Sequence, residues 1–391
     1  MITKLVIENL GPIERVEVPL GRFTVLVGPN DSGKSTILRA LKLLSYIGGA
    51  KPIGTSQNDS PFPNDLDFPS LVNRRSPSSS LRLVASGQCA RPGANPFKFV
   101  YDVELGVSRL SLEIFGESLM VDDQELIPRN AQVIKLMHNT QDAAQLRIRA
   151  IPLLPQLLDD GRIDDRQQVC AALAGASFAP LPSTLALPWK GETDATQIDE
   201  DGKGLASIVD QVLRSTKRAP RDEIERQLHA FAPFVESLGT RRSGSGTEIV
   251  FGIAGDHELP AKRVSNGVLL ALAFLALRHT NMRRFFVEEP ENGIHPRAMG
   301  EVVKVLRATA LLPGGQVVAT THSPLLLNFV EAAEALVVTR DEKHGVRVTP
   351  MLETAWFKER SEDFDLGELW YNVGERELVV DSKSSEVPSA P

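Results

Sequence analysis

Gly28-Pro29-Asn30-Asp31-Ser32-Gly33-Lys34-Ser35, with Thr36 following, sets glycines, an amine and hydroxyls at the spacing G-x-x-x-x-G-K-[ST]. That spacing suits a triphosphate. Glycines let the main chain come close, successive N–H groups and a helix start converge on the anion, and the amine and hydroxyl finish the job. Lys34 is expected to reach the β- and γ-phosphates, and Ser35 to hold Mg²⁺. The loop needs a strand before it and a helix after it. Phe23-Thr24-Val25-Leu26-Val27 supplies the strand, and Ile37, Leu38, Ala40, Leu41 and Leu44 recur at helical spacing.

A phosphate-binding loop of this kind needs an acid at the end of a core strand to complete the metal shell. Phe285-Phe286-Val287-Glu288-Glu289-Pro290 offers it. Glu288 is the expected partner of the metal or its water, and Glu289 the expected base that orients and deprotonates the attacking water. The bland reading is a strand that ends in surface acids. Gln316-Val317-Val318-Ala319-Thr320 is a further strand, leading into Thr321-His322-Ser323-Pro324. His322 at that edge can donate to a γ-phosphate or to the water, or simply cap the strand. Lys262-Arg263-Val264-Ser265-Asn266-Gly267 opens the apolar run Val268–Leu277. Ser265 there is either an N-cap or part of a second anion-binding helix start. The second option implies a nucleotide shared between two subunits.

The elements that must hold these residues follow from pattern. Leu5-Val6-Ile7 and Val16-Glu17-Val18 read as strands about a turn at Asn9-Leu10-Gly11-Pro12, so three strands precede the loop. The helix after it ends near Gly48-Gly49. Residues 50–80, rich in Pro, Ser, Asn and Asp, read as an exposed loop. Leu81–Val84, Phe97–Leu105, Leu110–Phe115 and Gln132–Ile134 read as an antiparallel meander. Prolines break up 140–200, and helical spacing resumes at Leu205, Ile208, Val209, Val212 and Leu213, then at Ile224, Leu228, Phe231 and Val235. A strand is expected at Glu248–Ile253, and a polar, unstructured tail from Asp381.

Composition narrows the class. The 391 residues are 42% hydrophobic and 24% charged, which is ordinary for a globular chain of several domains or one large α/β domain with insertions. A net charge of -7 does not draw nucleic acid to the molecule as a whole, although Arg74-Arg75, Lys217-Arg218 and Arg241-Arg242 leave a local basic groove open. Two distant cysteines, Cys89 and Cys170, argue against a disulfide framework or zinc site and suit a reducing cytosol. The start carries no secretory signal pattern, and Val268–Leu277 is far short of the ~20 residues that span a bilayer. A cytoplasmic protein with no membrane partner is expected.

The order of motifs resembles the ABC-type ATPases of the SMC and RecF class, and above all compact bacterial AAA-family ATP-binding proteins related to OLD-family ATPase domains. The motifs are the Gly28–Ser35 loop (Walker A), a Ser-x-Gly helix start, Glu-Glu-Pro-Glu-Asn-Gly-Ile-His-Pro and Thr-Thr-His-Ser-Pro. Met1 to Gly28, Asp201-Gly202-Lys203-Gly204-Leu205-Ala206 and Leu366-Gly367-Glu368-Leu369-Trp370 resemble the class's opening strands, its turn before the helical lobe and its C-terminal segment. The resemblance implies an α/β head with a mainly parallel core sheet (1–50 and 246–350), an antiparallel β subdomain (81–136), an inserted helical lobe (140–245) and a tail (381–391). It implies ATP and Mg²⁺ held by Gly28, Pro29, Asn30, Asp31, Ser32, Gly33, Lys34, Ser35 and Thr36, with Glu288 on the metal and Glu289 and His322 catalytic.

Ser265 and Gly267 resemble the signature that touches the γ-phosphate from a second copy, reading Val-Ser-Asn-Gly where Leu-Ser-Gly-Gly is usual. Asn292 to His295 resembles the D-loop, and Gln132 or Gln141 the Q-loop glutamine. Residues 323–391 are too few for both the last ATPase strands and the Toprim nuclease domain of OLD nucleases, so an effector nuclease or toxin is expected on a partner chain. The implied protein is an ATP-dependent homodimer with slow hydrolysis, which regulates that effector in anti-phage defence. The alternative is a RecF-like repair ATPase that grips DNA itself. The Ile294-His295 D-loop is unlike that of transporter ATPases.

Overall fold

The computed structural model describes residues 1–49, 71–73, 80–91, 93–108, 111–127, 163–191, 194–216, 219–244, 246–255, 257–341, 345–360 and 364–380. The strands expected at Gln132–Ile134, both Q-loop candidates, most of the 50–80 loop and the 381–391 tail lie outside these residues.

β1 (Ile2–Leu10) and β2 (Ile13–Pro19) form a hairpin closed at Leu10–Ile13, with Gly11 at φ +54° taking the turn. β3 (Phe23–Val27) then enters a different sheet and feeds the loop and α1 (Lys34–Gly48). The three strands expected ahead of the loop therefore exist but divide. β1 and β2 continue instead into β4 (Ser80–Arg91), β5 (Ala94–Ser108), β6 (Ser111–Val121) and β7 (Gln124–Ile127), in the antiparallel order β2-β1-β4-β5-β6-β7. Alternation in β4 puts Leu81, Leu83, Ala85 and Cys89 inside and leaves Ser80, Arg82, Ser86 and Gln88, with Val84 and Ala90, on the other face, as a sheet with one drier face requires. Within the 50–80 stretch, read as exposed, Leu71 and Asn73 are buried. Val72 bridges Leu10, and the Leu71 carbonyl accepts from Gly11 N.

α2 (Ile163–Leu173), β8 (Ala176–Phe178), α3 (Pro182–Leu185), α4 (Leu205–Arg214) and α5 (Ala219–Phe231) follow, and then the meander β9 (Val235–Ser243), β10 (Gly246–Ile253) and β11 (His257–Pro260). Val235, expected on the second helix, instead begins β9, and the 140–245 stretch, expected as an inserted helical lobe, sends β8 into the core sheet, parallel to β12. Only Ala-Ser-Phe pairs there, too short a run for periodicity to register. The chain completes its core with α6 (Asn266–Leu277), β12 (Arg284–Glu288), α7 (Met299–Ala310), β13 (Gln316–Thr321), α8 (Pro324–Leu327), β14 (Ala335–Asp341), β15 (Gly345–Pro350), α9 (Ala355–Arg360) and α10 (Leu366–Val380).

The core sheet runs β15-β14-β3-β13-β12-β8 and is parallel except where β15 pairs with β14. Its strands read as continuous apolar runs because both faces are covered. Val25, Val27, Phe285, Val287, Val317 and Ala319 pack one way, with α6 and α7. Leu26, Phe286, Val318, Leu336 and Val338 pack the other way, with α1 and the antiparallel sheet. The period-2 rule of a strand divides two hydrophobic cores between neighbouring residues. α6 is apolar all round because it is buried all round, with every residue from Val268 to Leu277 inside. Among the described residues no helix is long and apolar enough to cross a membrane.

α10 closes over α8 through Gly367, whose N–H donates to Asn328 Oδ1 at 2.8 Å. A Cβ at Gly367 would sit 1.9 Å from the Pro324 carbonyl oxygen. Gly367→Ala is therefore expected to cost about 1–3 kcal/mol of stability, the usual cost of forced overpacking, and so to lower the urea midpoint at constant slope. A wild-type midpoint would mean that α10 can be lifted freely.

Candidate functional site

Parallel register brings the chemistry to one edge. Val27 pairs with Thr321 and Glu288 with Thr320, so β3, β13 and β12 end side by side. This carboxyl edge is where open α/β sheets bind ligands.

Beyond Val27 the loop bends through Asp31 (φ +60°) and Gly33 (φ +108°) into α1. Gly28 must be glycine here, since a Cβ would lie 2.2 Å from the Val338 carbonyl oxygen. No side chain caps α1 at Gly33, and its first turn holds no acid, so the positive end of the helix faces the loop without a competing anion from that turn. Lys34 is buried, and its Nζ donates to the carbonyls of Gly28 and Pro29 at 2.8 Å each. Burial pulls its pKa below the usual lysine value, against the opposing charges of Glu289, Glu291 and Asp31. The Ser32 hydroxyl is buried with no hydrogen-bond partner among the described residues. Ser35 and Asn30 are exposed, and Pro29 and Thr36 half-buried. A cradle of glycine, an amine and a spare buried hydroxyl fits a triphosphate. The exposed hydroxyl of Ser35 and carboxylate of Glu288 are hard oxygen donors of the kind Mg²⁺ takes.

Glu288 ends β12 exposed, while the next residue turns sharply. Glu289 sits at φ +44°, a left-handed backbone that a glutamate adopts only under constraint. Its N–H donates to Thr320 O at 3.0 Å. Its carboxylate meets His322 Nδ1 at 3.2 Å through Oε1 and accepts from Asn292 Nδ2 at 2.7 Å through Oε2. His322 is thus brought to Glu289 rather than left as a bare cap. Glu291, the third acid of the run, is 7% exposed; its Oε1 accepts from Thr321 Oγ1 at 2.5 Å, and its Oε2 has no partner among the described residues. Burial pushes its pKa above the usual carboxylate range.

At the start of α6, Ser265 holds the N-cap position with extended backbone (φ −63°, ψ 148°), yet its hydroxyl makes no capping bond and the residue is exposed. Ser265 is thus an N-cap by position but not by a side-chain bond. Gly267 lies against the 292–295 turn, where a Cβ would be 3.1 Å from Gly293 O.

Sequence pattern offered Gly28–Thr36, Glu288, Glu289, His322, Ser265 and Gly267 as candidates. It placed Asn292 only in the D-loop resemblance and gave no role to Glu291 or Thr321. The Glu-Glu-Pro-Glu-Asn spacing carried the signal, because a proline-containing turn folds Asn292 back onto Glu289. Of the basic pairs, only Arg241-Arg242 is described, and both are engaged: Arg241 with Glu248 and Glu258 (3.7 Å each), Arg242 with Asp210 (3.1 Å).

The sheet order and the Gly28–Thr36 loop define a P-loop head of ABC type. Comparison with known proteins points the same way. Residues 184–328 match the family model described as "AAA domain, putative AbiEii toxin, Type IV TA system", and residues 1–59 match the "AAA ATPase domain" model. The chain is 24% identical over 363 residues to an OLD nuclease of Thermus scotoductus, an alignment covering 88% of this chain and 62% of the relative's length. The crystal structure of an Smc head bound to the C-terminal winged-helix domain of ScpA superposes with a TM-score of 0.52 at 12% identity, covering 89% of this chain and 96% of that one. That likeness establishes the fold. The chain is thus similar to AAA-family ATPase domains and to an OLD nuclease, on a fold of the SMC-head kind.

Proposed function

We propose that this chain binds Mg-ATP in the Gly28–Thr36 cradle, dimerises around two nucleotides and hydrolyses them slowly to drive a partner effector. The observation that carries the reading is the Glu289 carboxylate. It is fixed by His322 at the strand edge that also holds the Lys34 loop. In this reading Lys34 and the loop N–H groups hold the phosphates, while Ser35 and Glu288 hold Mg²⁺. The ion neutralises charge that builds up on the phosphoryl oxygens. Glu289 orients the water and takes its proton, and His322 keeps the Glu289 carboxylate aimed while pointing a ring nitrogen at the γ-phosphate side.

The exposed, uncapped hydroxyl of Ser265 at a helix start, with Gly267 beside it, supplies the second half of a composite site from another copy. A toxin–antitoxin system in one family description, and a nuclease as the relative, support an effector of the nuclease or toxin class and a role in anti-phage defence. The Arg241 and Arg242 ion pairs favour this reading over direct DNA gripping. Light scattering on the wild-type chain with Mg²⁺ and a non-hydrolysable ATP analogue is expected to show the mass doubling. A monomer at saturating analogue would overturn the composite site. Salt-sensitive DNA binding that needs the analogue would favour the repair reading instead.

A further inference from the structure

We infer that Asn292 is a positioning residue for Glu289, holding the carboxylate in line for the water; this rests on Glu289 being the base. The turn Glu289-Pro290-Glu291-Asn292 closes through its own main chain, with Asn292 N donating to Glu289 O at 3.0 Å. Pro290 presets the turn, and Ile294 N, bonded to Glu291 O at 3.0 Å, carries the chain onward. The Asn292 side chain is therefore not needed to make the turn. It is exposed, yet its amide reaches back to Glu289 Oε2 at 2.7 Å, a short, charge-assisted bond.

His322 takes the other oxygen from a different segment, the one joining β13 to α8. Asn292 donates to one oxygen and His322 Nδ1 lies 3.2 Å from the other, so the carboxylate is held about both oxygens on a backbone already forced to φ +44°. Losing either partner leaves a carboxylate free to rotate about a single contact. The next residue, Gly293, presents its carbonyl to Gly267 of the signature turn. Asn292 thus joins the aim of the base to the loop that packs against the α6 start.

The test is steady-state ATP turnover and ATP affinity of Asn292→Ala, Asn292→Asp and Asn292→Gln in the full chain, beside Glu289→Gln. The alanine variant is expected to lose about tenfold in kcat, since a slight misplacement of a reacting group suffices for that. KM and ATP affinity should stay within twofold. The aspartate variant should be the worst, because it cannot donate and sets like charge against like, whereas glutamine, which still donates, should recover part of the loss. A residue that serves only the turn gives another order, since Asp replaces Asn well in turns. Wild-type kcat in Asn292→Asp, or in Asn292→Ala, overturns the positioning role. Urea midpoints for all the variants separate misfolding from misplacement. Glu289→Gln with undiminished turnover would instead sink the base assignment itself, so the two failures are told apart.

Discussion

Glu289→Gln is expected to bind ATP with wild-type affinity and to turn it over ~10² to 10⁴ more slowly, the range a positioned general base supplies. The substitution is nearly isosteric, so the turn and its φ +44° backbone persist, as does the Glu289 N–H bond to Thr320 O. What changes is acceptor capacity. The carboxylate takes Asn292 Nδ2 on one oxygen and faces His322 Nδ1 with the other. A glutamine has one acceptor oxygen and an amide that only donates, so one of the two anchors is lost together with the basicity. Lys34 and the loop do not depend on that carboxylate for their own geometry, because Nζ is held by the Gly28 and Pro29 carbonyls. Binding is therefore spared. With hydrolysis blocked, ATP itself should now sustain the dimer, so a stable dimer in Mg-ATP is the second readout. Turnover within a few-fold of wild type would show that the water is activated elsewhere, with the buried Glu291 the next group to test.

Much of this site was legible because its residues are local in sequence. The Gly28–Ser35 spacing and its flanks needed no tertiary knowledge: a strand, a loop and a helix start dictate one another within a few residues. Glu288 and Glu289 were legible for the same reason, since an apolar strand ending in acids marks the edge of a buried parallel sheet. What sequence does not state is which donors a carboxylate finds. Thr321 reaches Glu291, and His322 reaches Glu289, only because β12 and β13 run parallel in register. The fold was legible to the same depth. α4, α5 and α6 announce themselves by periodicity or by an unbroken apolar run. β8 does not, because three residues pair at a sheet edge without a pattern of their own. The parting of β1 and β2 from β3 was equally hidden. All three strands are apolar enough for a core, and only the long-range pairing of β1 with β4 decides which core they join.

Lys34→Met should abolish detectable ATP binding at concentrations that saturate the wild type, a loss of ~10² or more in affinity. The estimate follows from removing charge-assisted bonds to phosphate worth about 1.5–3 kcal/mol apiece. The choice of methionine keeps the unbranched stem that fills the buried slot. Stability argues that the loss will be a property of the ligand site rather than of the fold. Lys34 is buried, and burial pulls its pKa down, so the folded chain holds this cation at a desolvation cost that Glu289, Glu291 and Asp31 only oppose. Methionine removes that cost along with the donor bonds to the Gly28 and Pro29 carbonyls, each worth about 1 kcal/mol net. The opposing changes should leave the urea midpoint of the nucleotide-free protein close to wild type. Arginine should not rescue binding, because its rigid fork cannot take the place of a compact ammonium in so narrow a cradle. Fluorescent-nucleotide titration of the two variants decides the matter. Retained affinity in Lys34→Met, at an unchanged midpoint, would mean that the amine serves the loop's carbonyls and not a phosphate.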